Sequence, residues 1–337
     1  MTKTVSKQQI YAAKKTWFDR ETVTEKLFNY TQNIKGDYRW LLMFVCARFP
    51  IGRNLGVLFY RYKKDRHSTI KSINTATERC WKTSQVNRKR VNKDNSIFKN
   101  IDLNLAVESI KERGYFLGLQ LPDCILQEIL AYAYYADISI DGDRGWEFKY
   151  SAKKEAEQHY NRNILIGNYL AINTECSAMQ KLAGDPQLKE VATKYLGTEP
   201  VLVRSQMGWT FVGSKNAYAQ KGEIGSPTVS FHYDLDDYRA LKFFFYLTDV
   251  DSSSGSHRCV DRSHKKRKLL HCIFRSQSDR EIADYYGAKS IVNICGRAGY
   301  GFAEDPFCFH RGSPPISKPR LMIQLEFALN EYGTWQQ

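Results

Sequence analysis

Apolar residues fall into two spacings along the chain, helical in its first half and alternating in its second. Over residues 8–34, Ile10, Trp17, Val23, Leu27 and Phe28 stand at helical intervals among polar neighbours. Residues 39–50 and 51–64 are two apolar segments with cations at their ends, separated by a break at Pro50 and Gly52. They predict a helical pair packed on the main domain; an interfacial hairpin touching a membrane is the second reading. Residues 65–100 are polar and basic, include Arg88-Lys-Arg90, and predict an exposed connection.

From residue 103 the pattern tightens. Residues 103–113 and 123–135 read as helices around a short strand in 114–120, and Asp141-Gly-Asp-Arg-Gly145 reads as a turn. Residues 155–170 and 178–196 read as further helices. Past residue 200 the apolar positions alternate. Strands are predicted at 201–212, 228–233, 240–247, 290–294, 300–303 and 320–329. Helices followed by many short strands predict an α+β fold, a double-stranded β-helix (jelly roll) with flanking helices and an N-terminal helical extension. The expected division is a basic, mostly helical accessory region, 1–100, and a jelly-roll domain, 101–337.

Composition narrows the class. Of 337 residues, 42% are apolar and 26% charged, which excludes wholesale disorder. The 21 Tyr and 18 Phe favour β-structure around a broad apolar interior. Charge is unevenly spread: residues 1–100 carry 22 Lys and Arg against 7 Asp and Glu, and the remainder carries 28 against 29. Contact with an anionic surface, if any, is therefore expected from the N-terminal third. Eight cysteines without a Cys-x-x-Cys pair read as reduced thiols. The first residues lack an apolar core of the signal-peptide kind, and the early apolar run at 40–47 is too short to span a bilayer. The expected location is cytoplasmic, with peripheral contact to anionic membrane as a variant.

The candidate chemistry lies in the second half. His232 and Asp234 close an apolar stretch, and residues two apart on a strand point the same way. His310 follows Phe307-Cys-Phe309. Two histidines and a carboxylate form the facial triad of non-haem iron sites, which leaves coordination positions open. Arg320 opens a strand whose alternate residues Arg320, Met322, Gln324 and Glu326 share the more polar face. An arginine there suits a bidentate grip on a dicarboxylate. Arg204 and Gln206 share a face of the 201–212 strand and are candidate substrate contacts.

These residues resemble the iron ligands and the 2-oxoglutarate arginine of Fe(II)/2-oxoglutarate dioxygenases. The stretches Leu241–Asp251, Gly255-Ser-His-Arg258, Asp261-Arg-Ser-His-Lys265 and Ile110-Lys-Glu-Arg-Gly-Tyr-Phe116 resemble the phytanoyl-CoA dioxygenase (PhyH-like) family over residues 101–330. The sequence departs from that family at Phe231, where a tryptophan is usual, and at Asp261-Arg262, where Pro-Gly is usual. Asp236 and Asp237 crowd the metal motif, so Asp234 is chosen on spacing. The resemblance implies Fe(II) held by His232, Asp234 and His310, with 2-oxoglutarate and O₂ as co-substrates. It also implies Arg320 and Ser313 on the 2-oxoglutarate carboxylate, and His257 and His264 shaping loops.

The implied activity is hydroxylation of an aliphatic carbon in a small-molecule or carrier-bound substrate, with Asp234 arguing against halogenation. Two other readings compete. A nucleic-acid dealkylase would use the basic N-terminus, but such enzymes carry a second arginine six residues past the first, where Glu326 stands. A non-catalytic jelly-roll binding module would not need an intact ligand set. Nucleic acid is accordingly not the expected partner.

Overall fold

The computed structural model describes residues 95–98, 101–214, 217–218, 230–234, 239–268, 271 and 276–329. The segments predicted within 1–94, and residues 228 and 229 of one predicted strand, lie outside them. Helix α1 (Leu103–Arg113) begins where the Asp102 carboxylate accepts the N–H groups of Asn104 and Leu105, and it ends at Gly114, whose φ is 92°. A Cβ at Gly114 would overlap Cys308 Sγ, so close packing and a left-handed backbone both require glycine there. Strand β1 (Tyr115–Gln120) and helix α2 (Asp123–Tyr135) follow as predicted. Asp141 (φ 58°) and Gly142 (φ 84°) turn the chain between β2 (Ile138–Ile140) and β3 (Asp143–Phe148), so the predicted turn is a hairpin.

Two predicted helices are corrected. The 155–170 segment holds helix α3 (Lys153–His159), a turn with Asn161 at φ 47°, and strand β4 (Ile166–Asn168). Backbone pairing of Ile166 with Thr210 outweighs the local helical spacing. Beyond the short α4 (Ile172–Glu175), the 178–196 segment is two helices, α5 (Ser177–Ala183) and α6 (Pro186–Leu196). Asp185 caps α6 through the N–H groups of Gln187 and Leu188, and Pro186 takes the first position, where its missing donor is harmless. The same carboxylate accepts from Ser96 Oγ and the Ile97 N–H, and Phe98 stacks on Phe245 at 5.8 Å. Residues 96–98, placed by sequence in the accessory region, thus pack in this core.

Strands β5 (Val201–Thr210), β6 (Ala240–Tyr246), β9 (Tyr300–Glu304) and β11 (Arg320–Ala328) join the earlier ones in an eight-stranded sheet ordered β1-β9-β6-β11-β5-β4-β2-β3. A second sheet, β10-β7-β8, comprises β7 (His257–Val260), β8 (Ile291–Ile294) and β10 (His310–Gly312). All pairings within both sheets are antiparallel. Helix α7 (Asp279–Tyr286), which the apolar pattern did not suggest, precedes β8 and opens on a Ser278–Glu281 capping box. The fold is thus mixed helix and antiparallel sheet.

The large sheet has two differently employed faces. Met207, Trp209, Leu241, Phe243, Phe245, Leu321, Ile323, Leu325 and Phe327 form one core with Ile110, Ile129, Leu182, Leu188 and Val191 of the helices. Each such side chain contributes roughly 1.5–3 kcal/mol on burial. On the opposite face Tyr115, Phe244, Tyr246 and Phe302 pack with Cys259 and Ile294 of the small sheet and with Cys308. Period-two alternation sorts the strands in this way, and it puts Lys242, Glu304, Arg320 and Glu326 on the side of the small sheet. Among the described residues no helix is long and apolar enough to cross a membrane.

Candidate metal centre

Two short segments carry the predicted ligands. His232 and His310 form a bridge in which each backbone N–H bonds the other's carbonyl, at 3.0 and 2.7 Å. Asp234 is tied by its own N–H to Pro306 O at 2.8 Å. The predicted 228–233 strand is, over its described part, only these contacts and a bridge from Phe231 to Gln277. His232, Asp234 and His310 offer ligand atoms within 4.8 Å of one another. Among the described residues they are the one such set. The Asp234 carboxylate lies between the imidazoles, Oδ1 3.7 Å from His232 Nε2 and Oδ2 3.4 Å from His310 Nε2.

The imidazoles are oriented for a metal. His232 Nδ1 is 3.1 Å from Ser230 O, and His310 Nδ1 is 2.9 Å from Cys308 O. A carbonyl only accepts, so each Nδ1 carries a proton and each Nε2 faces the carboxylate. Burial lowers the His310 pKa, but the carboxylates of Glu304 and Asp234 carry it up to about 9. A metal ion entering here displaces a proton from His310. Burial raises Asp234, yet Lys242 first, then His310 and His232, hold it well below the usual carboxylate range.

Lys242 is the residue that sequence reasoning missed. It is buried, with Nζ 2.5 Å from Asp234 Oδ2 and 3.5 Å from Glu326 Oε2. Register explains the cluster: Glu304, Lys242, Glu326 and Arg204 are direct cross-strand neighbours on β9, β6, β11 and β5. Signs alternate along this row, as cross-strand pairing favours. Glu304 accepts from His257 Nε2 at 2.6 Å and lies 3.8 Å from His310 Nδ1. A lysine inside Ala-Leu-Lys-Phe-Phe-Phe-Tyr was the available signal, since a buried cation needs a partner.

The predicted 2-oxoglutarate residues meet at Gly255-Ser256. Arg320 is 4% exposed; it donates to Gly255 O and, at 3.2 Å, to Thr210 Oγ1. The Ser313 N–H bonds Ser256 O at 3.0 Å. Arg320 Nε and Ser313 Oγ are both buried with no hydrogen-bond partner among the described residues. Such orphaned polar atoms are costly unless something fills them, and a carboxylate fits both. Of the other cations near Arg320 in the sequence, Arg311 grips Asp279 with two 2.8 Å contacts, and Lys318 is exposed.

The other named residues divide. Arg204 Nε lies 3.5 Å from Glu326 Oε2, whereas Gln206 is exposed on the same face. Asp236 and Asp237 are outside the described residues. His264 is in a loop, contacting Cys308 Sγ at 3.4 Å and Lys111 O at 3.0 Å. His257, read as loop-shaping, instead stands on β7 with its ring 5.6 Å from that of His310. Four residues per strand were too few for its neighbours' spacing to reveal a strand.

No family model and no curated protein matches the chain. Similar solved structures include the epimerase SnoN from nogalamycin biosynthesis in complex with Fe³⁺, alpha ketoglutarate and nogalamycin RO, at 15% identity and a TM-score of 0.46, covering 67% of this chain and 83% of that one. HygX from Streptomyces hygroscopicus, with nickel, 2-oxoglutarate and hygromycin B bound, is 13% identical with a TM-score of 0.46, over 66% and 86%. AviO1 from Streptomyces viridochromogenes is 13% identical with a TM-score of 0.43, over 68% and 96%. The likenesses are distant in sequence and partial in shape.

Proposed function

We propose that the chain is an Fe(II)/2-oxoglutarate-dependent oxygenase of the jelly-roll kind, hydroxylating an aliphatic carbon of a small-molecule or carrier-bound substrate. The observation that carries this is the pairing of a pre-oriented His232–Asp234–His310 set with two orphaned buried groups, Arg320 Nε and Ser313 Oγ, that suit a dicarboxylate. A bound Fe(II) would supply O₂ activation coupled to decarboxylation of 2-oxoglutarate. The chain's own part is positional. Ser230 and Cys308 carbonyls fix the tautomers, and Lys242 holds one Asp234 oxygen, which favours single-oxygen ligation and leaves positions for co-substrates. Arg320 and Ser313 orient the dicarboxylate, and the aromatic packing of Phe244, Phe302 and Tyr246 excludes water beside it.

Glu326, at the place of a dealkylase's second arginine, is buried against Lys242, which disfavours that reading. The basic region ahead of residue 96 is proposed as an accessory element that covers the domain or holds a partner. Anaerobic addition of Fe(II) and 2-oxoglutarate tests the core proposal. A weak visible metal-to-ligand band is expected in the full-length protein and should be lost in His310→Ala. A band of full intensity in that variant refutes the ligand assignment.

A further inference from the structure

We infer that the open half of the site-facing sheet, paved by Gln206, Gln324 and Asn168, is the substrate platform, and that it takes a neutral, hydroxyl-rich small molecule, a sugar or cyclitol ring. This rests on reading the adjoining centre as an oxygenase. Register places the three amides together. Gln206 on β5 pairs with Gln324 on β11; Asn168 on β4 pairs with Gly208, which pairs with Met322. The same parity puts Arg204, Glu326 and Lys242 on this face, one residue pair from Gln324 and so about 7 Å along the strands. The platform therefore begins one step from the lysine that holds Asp234.

Its chemistry is amide. None of the three side chains has a hydrogen-bond partner among the described residues. Gln206 is exposed, and Gln324 and Asn168 are half-buried, whereas Phe244 and Phe302, on the same face under the small sheet, are buried. Gly208 helps to shape the surface: a Cβ there would stand 2.8 Å from Asn168 Oδ1, so glycine lets that amide lie across the strand. A primary amide offers a carbonyl acceptor beside two N–H donors, the complement of neighbouring hydroxyls on a ring.

Other substrate classes fit poorly. The next row, Arg204–Glu326–Lys242–Asp234, is paired within itself, and Arg320 lies buried against Gly255. An ionic headgroup therefore finds no counter-charge on the platform. An acyl chain finds Met322 and would strip water from three amides without replacing its hydrogen bonds. Arg204, a predicted substrate contact, is better placed as a fixed end of the row.

The test uses the full-length protein loaded with Zn(II) and 2-oxoglutarate, which permits binding without oxidation. Saturation-transfer NMR is run with myo-inositol, methyl α-glucoside and trehalose, and with octanoate and glucose 6-phosphate as the apolar and anionic probes. At least one neutral polyol is expected to bind saturably. Gln206→Leu and Gln324→Leu are each expected to weaken it about fivefold or more, with partial recovery in Gln324→Asn. Circular dichroism and melting on the same samples establish that the variants fold. Failure of every polyol to bind overturns the inference. So does tighter binding of octanoate or glucose 6-phosphate, or polyol binding unchanged in both leucine variants. The anaerobic Fe(II)/2-oxoglutarate band, recorded separately, distinguishes the parent reading. Its absence with polyol binding intact removes the oxygenase and leaves the platform.

Discussion

Replacing Lys242 with Met keeps most of the side-chain length and removes the cation 2.5 Å from Asp234 Oδ2 and 3.5 Å from Glu326 Oε2. Three carboxylates, the half-buried Asp234 and the buried Glu304 and Glu326, then share the row with Arg204 and the imidazoles. Breaking one side of a buried ion pair costs about 3–5 kcal/mol, because a desolvated charge is left uncompensated. For a domain of this size the melting temperature should fall by roughly 6–20 °C. A divalent ion at the centre supplies the missing positive charge. The variant should therefore bind Co(II) or Zn(II) more tightly, and each tenfold gain in affinity adds about 1.4 kcal/mol at saturating metal. Differential scanning fluorimetry with and without metal reads both effects: the midpoint should drop in Lys242→Met, and metal should raise it further than it raises the wild type. Lys242→Arg should recover part of the loss. A drop below about 1 kcal/mol, or an equal metal-induced rise in both proteins, would refute the electrostatic account of Lys242.

Arg320→Ala should raise the 2-oxoglutarate KM by about a hundredfold, since losing one partner of a buried charged contact costs about 2–5 kcal/mol, and Arg320→Lys should recover it in part; an unchanged KM in steady-state succinate release would remove the assignment. His271 sits among Tyr285, Tyr286 and Phe309, where burial and then Lys268 lower its pKa from 6.5 to about 4. The folded state thus favours the neutral ring: its contribution is intact above pH 6.5 and is lost as pH falls from there through about 4. Melting curves across that window should show a smaller fall for His271→Phe than for the wild type, and equal falls would discard the role.

The grouping of His232, Asp234 and His310 was legible because each part of its signal is local. His232 and Asp234 are two apart, and the 320–329 alternation assigns Arg320 to the polar face whatever lies beside it. Lys242 and Glu304 were not legible, because their meaning arises only when β6 is laid between β9 and β11, and no local period states which strands are neighbours. The missed division of 178–196 is of another kind. Gly184-Asp185-Pro186 carries a stop, a cap and a helix-starting proline, and the apolar period running through it masked them. Conversely, Ile164-Leu165-Ile166 is a short apolar run that reads equally as helix or strand, and only its pairing with β5 decides it.

The reciprocal backbone pair between His232 and His310 joins points 78 positions apart in the chain by two hydrogen bonds. A metal held by both imidazoles would act on this pair as a clasp, since opening the bridge would mean parting two ligands of one ion. The amide hydrogens of His232 and His310 are the ones enclosed. Their exchange with deuterated solvent is therefore a direct gauge of how often the clasp opens, and adding metal should slow it at these two positions more than along β11. The centre would then be a lock on the fold as well as a place for chemistry, and the lifetime of the closed state would set how long the iron stays.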